Sequence, residues 1–181
     1  MGRKVITLDS VSFRHECTRL EAIVTESGFI PDLILSIRTG GLYVGENMFA
    51  DVRHESVTLQ RPSTKAKRAP VKKIIRLLPR PVLDLLRIAE SCWLENKKRT
   101  KQPASFILPP MQDAQNILIV DDAVDSGATL LAVIEAVRTD MPGAEVRSAV
   151  ITQTTPSPVI TPDYTLYNNR TLIRFPWSMD A

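Results

Sequence analysis

The chain has 181 residues, 44% of them hydrophobic and 24% charged, which is typical of a one-domain globular protein and excludes collagen, coiled coils and wholesale disorder. No apolar run approaches the roughly 20 residues of a membrane span, and the first residues lack an export signal, so we expect a cytoplasmic protein with no membrane partner. The net charge of +3 is uneven, because residues 53–101 hold 14 Lys or Arg against 4 Asp or Glu; this segment either meets an anion or is a solvated surface.

The first part of the chain predicts a helix, a buried strand and a glycine turn. Asp9 and Ser10 are suitable N-caps for a helix over residues 11–27. Its apolar stripe is formed by Val11, Cys17, Leu20, Ile23 and Val24. The run LILSI is typical of a strand buried on both faces, and it leads through two glycines into a second helix over residues 42–50. Strand, turn and helix in this order form half of an α/β unit.

The middle of the chain predicts an insertion between two strands. After a strand at 57–59, the breaker-rich RPSTKAKRAP is predicted to be a mobile loop, residues 71–99 have helical periodicity, and FIL at 106–108 resumes the strand pattern. We therefore describe one domain, 1–181, with a basic loop and helical insert at 61–104 and a C-terminal hood or lid at 153–181. The insert is a dimer contact, a cover over a site or a basic surface. It has no helix-turn-helix signature, and no stacking aromatics lie between its charges Lys72, Lys73, Arg76, Arg80 and Arg87, so we do not expect nucleic-acid binding.

The second α/β unit carries the chemistry. A strand at 117–120 is followed by DDAVDSGAT, a helix over 130–138 and a strand over 146–152. Residues 126–129 offer backbone N–H groups and two hydroxyls at a helix N-terminus, which suits a phosphate monoester. Asp121 and Asp122 would repel that phosphate, so they accept hydrogen bonds from vicinal hydroxyls or hold a divalent cation. Ribose 5-phosphate fits this pattern; the alternative is a helix that Asp125 or Ser126 merely caps.

Two segments resemble a known family. ILIVDDAVDSGATL resembles the phosphoribosyl pyrophosphate signature of the type I phosphoribosyltransferases, and PDLILSIRTGGL resembles their pyrophosphate loop. The order of elements agrees from about residue 30 to 152. The resemblance implies an α/β fold, a mainly parallel sheet with helices on both faces. It also implies a glycosyltransferase that moves ribose 5-phosphate from phosphoribosyl pyrophosphate to a nucleobase and releases pyrophosphate, with Mg²⁺ as cofactor and a homo-oligomeric assembly.

The resemblance also implies site residues. The 5-phosphate of the family lies on residues that match Asp125, Ser126, Gly127, Ala128 and Thr129. The ribose hydroxyls meet those that match Asp121 and Asp122, and Asp122 is the predicted metal ligand. Pyrophosphate contacts are expected from Arg38, Thr39, Gly40 and, on the mobile loop, Arg61. Many relatives have arginine immediately before the two glycines, whereas this chain has Thr39 there and Arg38 one place earlier.

The predicted base is purine-like. Relatives that act on 6-oxopurines have an aspartate where this chain has Asp125, placed to exchange a proton with the purine ring; a carboxylate there can act as general base. The alternative is that Asp125 only caps the helix. The tail LIRFPWSMD is similar to the WIxxPWDM segment of xanthine-guanine enzymes, which implies base contacts from Leu172 and Ile173.

Two departures from the family concern the base. Leu172 stands where relatives have the aromatic residue that stacks on the base, and no lysine follows Lys101, whereas relatives use one near the residues matching Gln153 and Thr154. Candidate replacements are Tyr167, Arg170, Arg174, Phe175 and Trp177.

Three hypotheses follow. The leading one is a 6-oxopurine type of phosphoribosyltransferase, which Asp125 favours. The second is a regulator of the same fold that senses phosphoribosyl pyrophosphate without turnover and contacts nucleic acid or a protein through its insert; the missing aromatic and lysine favour it. The third is a nucleic-acid-binding module with no sugar-phosphate site.

Overall fold

The computed structural model describes residues 4–60, 105–169 and 171–178. The strands are β1 (Lys4–Thr7), β2 (Leu33–Ile37), β3 (Arg53–Gln60), β4 (Ser105–Ile107), β5 (Asn116–Val124), β6 (Glu145–Gln153), β7 (Tyr164–Tyr167) and β8 (Thr171–Arg174). The helices are α1 (Ser10–Glu26), α2 (Gly40–Gly45) and α3 (Ala128–Asp140). The predicted insert helices and Arg61 lie outside the described residues. Among the described helices, none combines the length and apolarity that crossing a bilayer requires.

The strands form a central sheet and a small second one. The central sheet has the order β4-β3-β2-β5-β6-β7. Its neighbouring strands are parallel except for the antiparallel pair β3 and β4. The second sheet consists of β1 and β8 in parallel, with Val5 opposite Leu172. This confirms the predicted mainly parallel α/β architecture.

Helices cover both faces of the central sheet, as predicted. Successive side chains of a strand point to opposite faces, and β2 shows this directly, because Ile34 packs in one hydrophobic cluster and Leu33 and Leu35 in the other. Helix α1 covers the Ile34 face with Phe13, Cys17, Leu20 and Val24. Helix α3 covers the other face with Leu130, Val133, Ile134 and Val137.

The observed start of α1 agrees with the prediction from sequence, whereas the observed ends of α2 and β5 differ from it. Asp9 caps α1 as predicted, accepting hydrogen bonds from the N–H groups of Val11 at 3.1 Å and Ser12 at 2.8 Å. Helix α2, predicted over 42–50, ends at Gly45, and the backbone reverses at Phe49 with a φ of 47°. Strand β5 runs on to Val124 because it stays paired with β6, so the turn before α3 is shorter than DDAVDSGAT suggests.

The C-terminal segment, predicted to be a hood or lid, is divided between the two sheets. Strand β7 lies at the edge of the central sheet beside β6, with Tyr164 opposite Ala149. Strand β8 pairs with β1, and the carbonyl of Arg174 accepts the N–H of Leu8 at 2.9 Å. The chain then turns at 175–178, where the Phe175 carbonyl accepts the Ser178 N–H at 2.9 Å.

Candidate active site

A cavity of about 410 Å³ lies at the carboxyl ends of β2 and β5. Ligands of open α/β sheets bind at this edge, where loops from neighbouring strands converge. Its walls are the loop between β2 and α2, the acidic end of β5, the turn into α3, and the C-terminal segment. The lining residues are Ile37, Arg38, Thr39, Gly40, Asp121, Asp122, Ala123, Val124, Asp125, Ser126, Gly127, Thr129, Leu130 and Trp177.

The first wall is the loop between β2 and α2. The N–H of Arg38 donates to the Val57 carbonyl at 3.1 Å, which ties the loop to β3, and the Arg38–Thr39 peptide bond is cis. Thr39 is the N-cap of α2 but makes no side-chain capping bond. Both side chains are exposed at the cavity, so a guanidinium and a hydroxyl are presented to whatever binds there.

This loop approaches β5 so closely that glycine is required. A Cβ atom on Gly40 would lie 2.1 Å from the carboxyl carbon of Asp122, and one on Gly41 would lie 2.5 Å from the Val120 carbonyl oxygen. Contacts under 3.0 Å are essentially never observed for real Cβ atoms. The two glycines therefore allow the loop to lie directly against the two acids.

The second wall holds two adjacent carboxylates. The Asp121 Oδ1 atom accepts the N–H of Asp122 at 2.9 Å. Burial raises the pKa of Asp121 well above its ordinary value, and the negative charge of Asp122 raises it further. Burial also raises the pKa of Asp122, and hydrogen bonding, above all with the Asp121 side chain, opposes that rise. Such a pair attracts a cation or hydroxyl donors, since either stabilises the ionised form.

The third wall is the turn from β5 into α3. Gly127 is the N-cap of α3 with a φ of 76°, in the left-handed region that favours glycine. The Ser126 carbonyl accepts the N–H of Val159 at 2.9 Å, which holds the turn from outside. The first N–H groups of a helix have no carbonyl partner within it, and they attract phosphate. Ser126, Gly127 and Thr129 all face the cavity.

Asp125 lies between the acidic pair and this turn. Asp125 lines the cavity, and its Oδ1 atom is 3.5 Å from the hydroxyl of Thr154, just after the end of β6. Thr154 is itself fixed, because its N–H donates to the Val124 carbonyl at 2.8 Å. Asp125 is thus a third acid of the cavity, three positions after Asp122 in the chain.

The structure brings together most of the residues that the sequence analysis selected. Nine line the cavity: Arg38, Thr39, Gly40, Asp121, Asp122, Asp125, Ser126, Gly127 and Thr129. Ala128 begins α3 beside them but is not a lining residue. Arg61 is outside the described residues.

The structure does not bring the two predicted base contacts to the cavity. Leu172 and Ile173 are each 5% exposed, because they form the middle of β8 and pair with β1. Among the C-terminal residues that the structure describes, the one that lines the cavity is Trp177, one of the candidate replacements. The sequence analysis missed the apolar wall of Ile37, Val124 and Leu130; their strand and helix periodicity indicated burial but not contact with a ligand.

The two carboxylates fit a hard divalent cation whose remaining coordination comes from a bound phosphate ligand and water. No cluster of three or more His, Cys, Asp or Glu side chains suited to a metal occurs in the parts of the chain that the structure describes. Mg²⁺ commonly binds through one or two carboxylates together with substrate phosphates and waters. The paired Asp121 and Asp122, opposite a loop suited to an anion, offer that kind of incomplete site.

Comparisons with known proteins agree with this geometry. The phosphoribosyl transferase domain family matches residues 8–181. A xanthine-guanine phosphoribosyltransferase of Cereibacter sphaeroides is 34% identical over 120 residues, and the match spans 64% of this chain and 66% of that relative.

Solved structures share the fold. A xanthine-guanine-hypoxanthine phosphoribosyltransferase from Helicobacter pylori superposes with a TM-score of 0.67 at 18% identity, covering 97% of this chain and 95% of its own. A purine phosphoribosyltransferase from Pyrococcus horikoshii gives a TM-score of 0.62 at 20% identity, covering 97% and 94%.

Proposed function

Because this chain belongs to the phosphoribosyl transferase domain family, a family of glycosyltransferases, we propose that it transfers the 5-phosphoribosyl group of phosphoribosyl pyrophosphate to a 6-oxopurine and releases pyrophosphate. One observation carries the proposal: a single cavity collects a pair of acids, a phosphate-type turn and a glycine loop at one edge of the sheet. A donor with a phosphate at each end and a diol between them needs those three features side by side.

The donor binds along the carboxyl edge of the sheet. Its 5-phosphate accepts hydrogen bonds from the backbone of residues 125–129 and from the hydroxyls of Ser126 and Thr129. Its ribose hydroxyls donate to the carboxylates of Asp121 and Asp122. Its pyrophosphate contacts Arg38, Thr39 and Gly40, together with Arg61 on the segment that follows β3.

The cofactor that this site fits is Mg²⁺, and Asp122 would be its protein ligand. An ion held there with the donor would supply positive charge against the leaving pyrophosphate. The raised pKa values of Asp121 and Asp122 support this assignment, since a buried acidic pair gains most when a cation arrives.

The acceptor is a 6-oxopurine, the class to which the xanthine and guanine named for the Cereibacter sphaeroides relative belong. Asp125 serves as general base: as a purine ring nitrogen bonds to the anomeric carbon, the bond from that carbon to the pyrophosphate oxygen breaks, and the proton on the purine passes to the carboxylate. The hydroxyl of Thr154 lies 3.5 Å from the Asp125 Oδ1 atom, within reach of a hydrogen bond that would hold the acid in place.

The test is a turnover assay with a panel of bases. Purified protein is incubated with phosphoribosyl pyrophosphate, Mg²⁺ and xanthine, guanine, hypoxanthine or adenine, and pyrophosphate release is followed. We expect release with at least one 6-oxopurine and not with adenine, and a fall in kcat of roughly 10²–10⁴-fold in Asp125→Asn. Asp51→Asn, an exposed acid outside the cavity, is the matched control and should keep full activity.

The same assay separates the alternatives. Tight binding of phosphoribosyl pyrophosphate without turnover on any base would contradict the enzyme and support the regulator. Absence of donor binding, with salt-dependent affinity for DNA or RNA, would support the nucleic-acid module. Oligomeric state and cytoplasmic location stay predictions.

A further inference from the structure

Ten residues, 154–163, connect β6 to β7 and lie against the turn from β5 into α3. We call this connection the strap. None of its residues lines the cavity. It contains Pro156, Pro158 and Pro162, and because proline fixes φ, a strap with three prolines has few backbone conformations open to it.

Both ends of the strap are anchored to the central sheet. At its start, the N–H of Thr154 donates to the Val124 carbonyl at 2.8 Å. At its end, the Asp163 carboxylate accepts the N–H of Ser148 at 2.8 Å and the hydroxyl of Ser148 at 2.7 Å. The N–H of Asp163 donates back to that hydroxyl oxygen at 3.1 Å. Ser148 lies on β6 and is buried, so the strap is tied to a rigid strand.

The middle of the strap lies directly against the turn. The N–H of Val159 donates to the Ser126 carbonyl at 2.9 Å. A Cβ atom on Gly127 would lie 3.0 Å from the carbonyl oxygen of Ile160 and 3.1 Å from its nitrogen. The Val159 side chain itself is 65% exposed. The strap therefore holds the turn through its backbone and not through the side chain of Val159.

The bond from Val159 fixes the peptide group between Ser126 and Gly127. This peptide is trans, and in a trans peptide the carbonyl and the N–H point in opposite directions. Because the Ser126 carbonyl points to the strap, the N–H of Gly127 points away from it. Glycine tolerates φ of either sign, so without the strap this peptide plane could rotate and exchange its carbonyl for its N–H.

Resting on the proposed function, we propose that the strap positions the turn for the 5-phosphate of phosphoribosyl pyrophosphate. The Val159 N–H holds the Ser126 carbonyl away from the phosphate, which the carbonyl would repel, and so keeps the N–H of Gly127 available to it. Val159 is a positioning residue that acts through its backbone, and any residue except proline can take its place. The pyrophosphate end of the donor, at Gly40, does not depend on the strap.

The test uses two probes that bind the two ends of the donor site. Ribose 5-phosphate reports on the turn, and pyrophosphate with Mg²⁺ reports on the loop at Gly40. Val159→Pro removes the N–H, whereas Val159→Ala, the matched control, keeps the N–H and shortens an exposed side chain. Calorimetry gives the dissociation constant of each probe and the Tm of each protein.

We expect Val159→Pro to weaken ribose 5-phosphate binding about 2-fold to 10-fold relative to Val159→Ala, the effect of losing one neutral hydrogen bond. Pyrophosphate binding should not change. An equal ribose 5-phosphate constant in the two variants overturns the inference. Equal weakening of both probes also overturns it, since that would mean general damage to the fold.

The anchor at Asp163 gives a second pair of variants. Asp163→Ala frees the end of the strap and should weaken ribose 5-phosphate binding in the same way. Asp163→Asn keeps an oxygen that can accept both hydrogen bonds from Ser148, so it should recover most of that loss. Failure of Asp163→Ala to affect ribose 5-phosphate binding would contradict a role for the anchor.

Hydrogen exchange of the unmodified protein needs no variant to fold. The Val159 amide, followed by NMR, should exchange more slowly than in an unstructured peptide, because it donates to Ser126. Saturating ribose 5-phosphate should slow it further, since binding and the hydrogen bond stabilise each other. Exchange at the peptide rate, or a rate that ribose 5-phosphate leaves unaltered, overturns the inference.

Failure of this inference is distinguishable from failure of the proposed function. If the unmodified protein binds neither phosphoribosyl pyrophosphate nor ribose 5-phosphate, the proposed function fails and the role of the strap fails with it. If the unmodified protein binds both ligands and Val159→Pro binds them as tightly as Val159→Ala, only the role of the strap is refuted.

Discussion

Replacing Gly41 by alanine tests how closely α2 must approach β5. The new Cβ atom would lie 2.5 Å from the Val120 carbonyl oxygen and 2.9 Å from the Asp121 Cα atom, whereas ordinary contact begins at 3.4 Å. Both opposing atoms belong to the backbone of a buried central strand, so a side-chain rotation cannot relieve the clash. Helix α2 must move away from the sheet.

The expected loss of stability follows from the cost of overpacking. Forcing an extra methyl group into a packed site typically costs about 1–3 kcal/mol. For a domain of this size, each kcal/mol lowers the Tm by about 2–4 °C, so we expect Gly41→Ala to melt roughly 2–12 °C below the unmodified protein. Donor binding should weaken as well, because the displaced helix carries the loop at Gly40.

Calorimetry and urea unfolding measure this effect against two other glycines. Gly143→Ala is the matched control, because a Cβ atom there meets nothing within 4 Å. Gly40→Ala meets the carboxyl group of Asp122, a side chain, so it should impair donor binding more than stability. If Gly41→Ala melted at the same temperature as Gly143→Ala, the close approach of α2 to β5 would be refuted.

Three further predictions concern charged or reactive groups. Asp121→Asn removes one of two adjacent buried carboxylates but keeps an oxygen that accepts a hydrogen bond. It should raise the Tm of the ligand-free protein at pH 7 and weaken donor binding measured by calorimetry. A lowered Tm would contradict the inference that the charge of Asp121 destabilises the folded protein. Burial raises the pKa of the Cys17 thiol to about 12, so in a Cys92→Ser protein a thiol reagent at about pH 8 should label Cys17 only after unfolding. The hydrogen bond from the Ser12 N–H holds the pKa of Asp9 below its ordinary 3.8. The ionised carboxylate of Asp9 therefore stabilises the folded protein above pH 3.8, and this contribution is lost as the pH falls through the lowered pKa. The Tm gap between Asp9→Ala and the unmodified protein should therefore narrow from about pH 5 to 3; a constant gap would show that the cap does not depend on charge.

Local sequence signals predicted the central elements of the fold. The run at β2 was recognisable because a strand buried on both faces needs apolar residues without alternation. The stripe of α1 was partly wrong: Val11 is 67% exposed and Ile23 is 38% exposed, and Phe13 lies on the buried face instead. Residues 13, 17, 20 and 24 keep a helical spacing of three and four, which Val11 does not share.

The elements that sequence missed depend on partners far along the chain. Strand β1 has four residues and exists because β8, more than 160 residues later, pairs with it. The four-residue β7 joins the sheet through β6. Such short segments have no periodicity of their own to detect, and their strand character comes from tertiary pairing.

The candidate site was predictable where its functional residues are close together in the sequence. Acids, small residues and hydroxyls within nine consecutive positions indicated the turn from β5 into α3. By contrast, the C-terminal residues were assigned by resemblance alone, and no sequence signal indicates that β8 turns Leu172 and Ile173 toward β1 while the following turn brings Trp177 to the cavity.

The antiparallel pairing of β3 with β4 has a consequence for how this protein can vary. Gln60 lies opposite Ser105, so the chain departs from the sheet and rejoins it at adjacent points. Lengthening the connection between two strand ends that lie side by side costs little entropy. Evolution or an engineer can therefore change the length of the intervening sequence at little entropic cost while β3 and β4 stay paired.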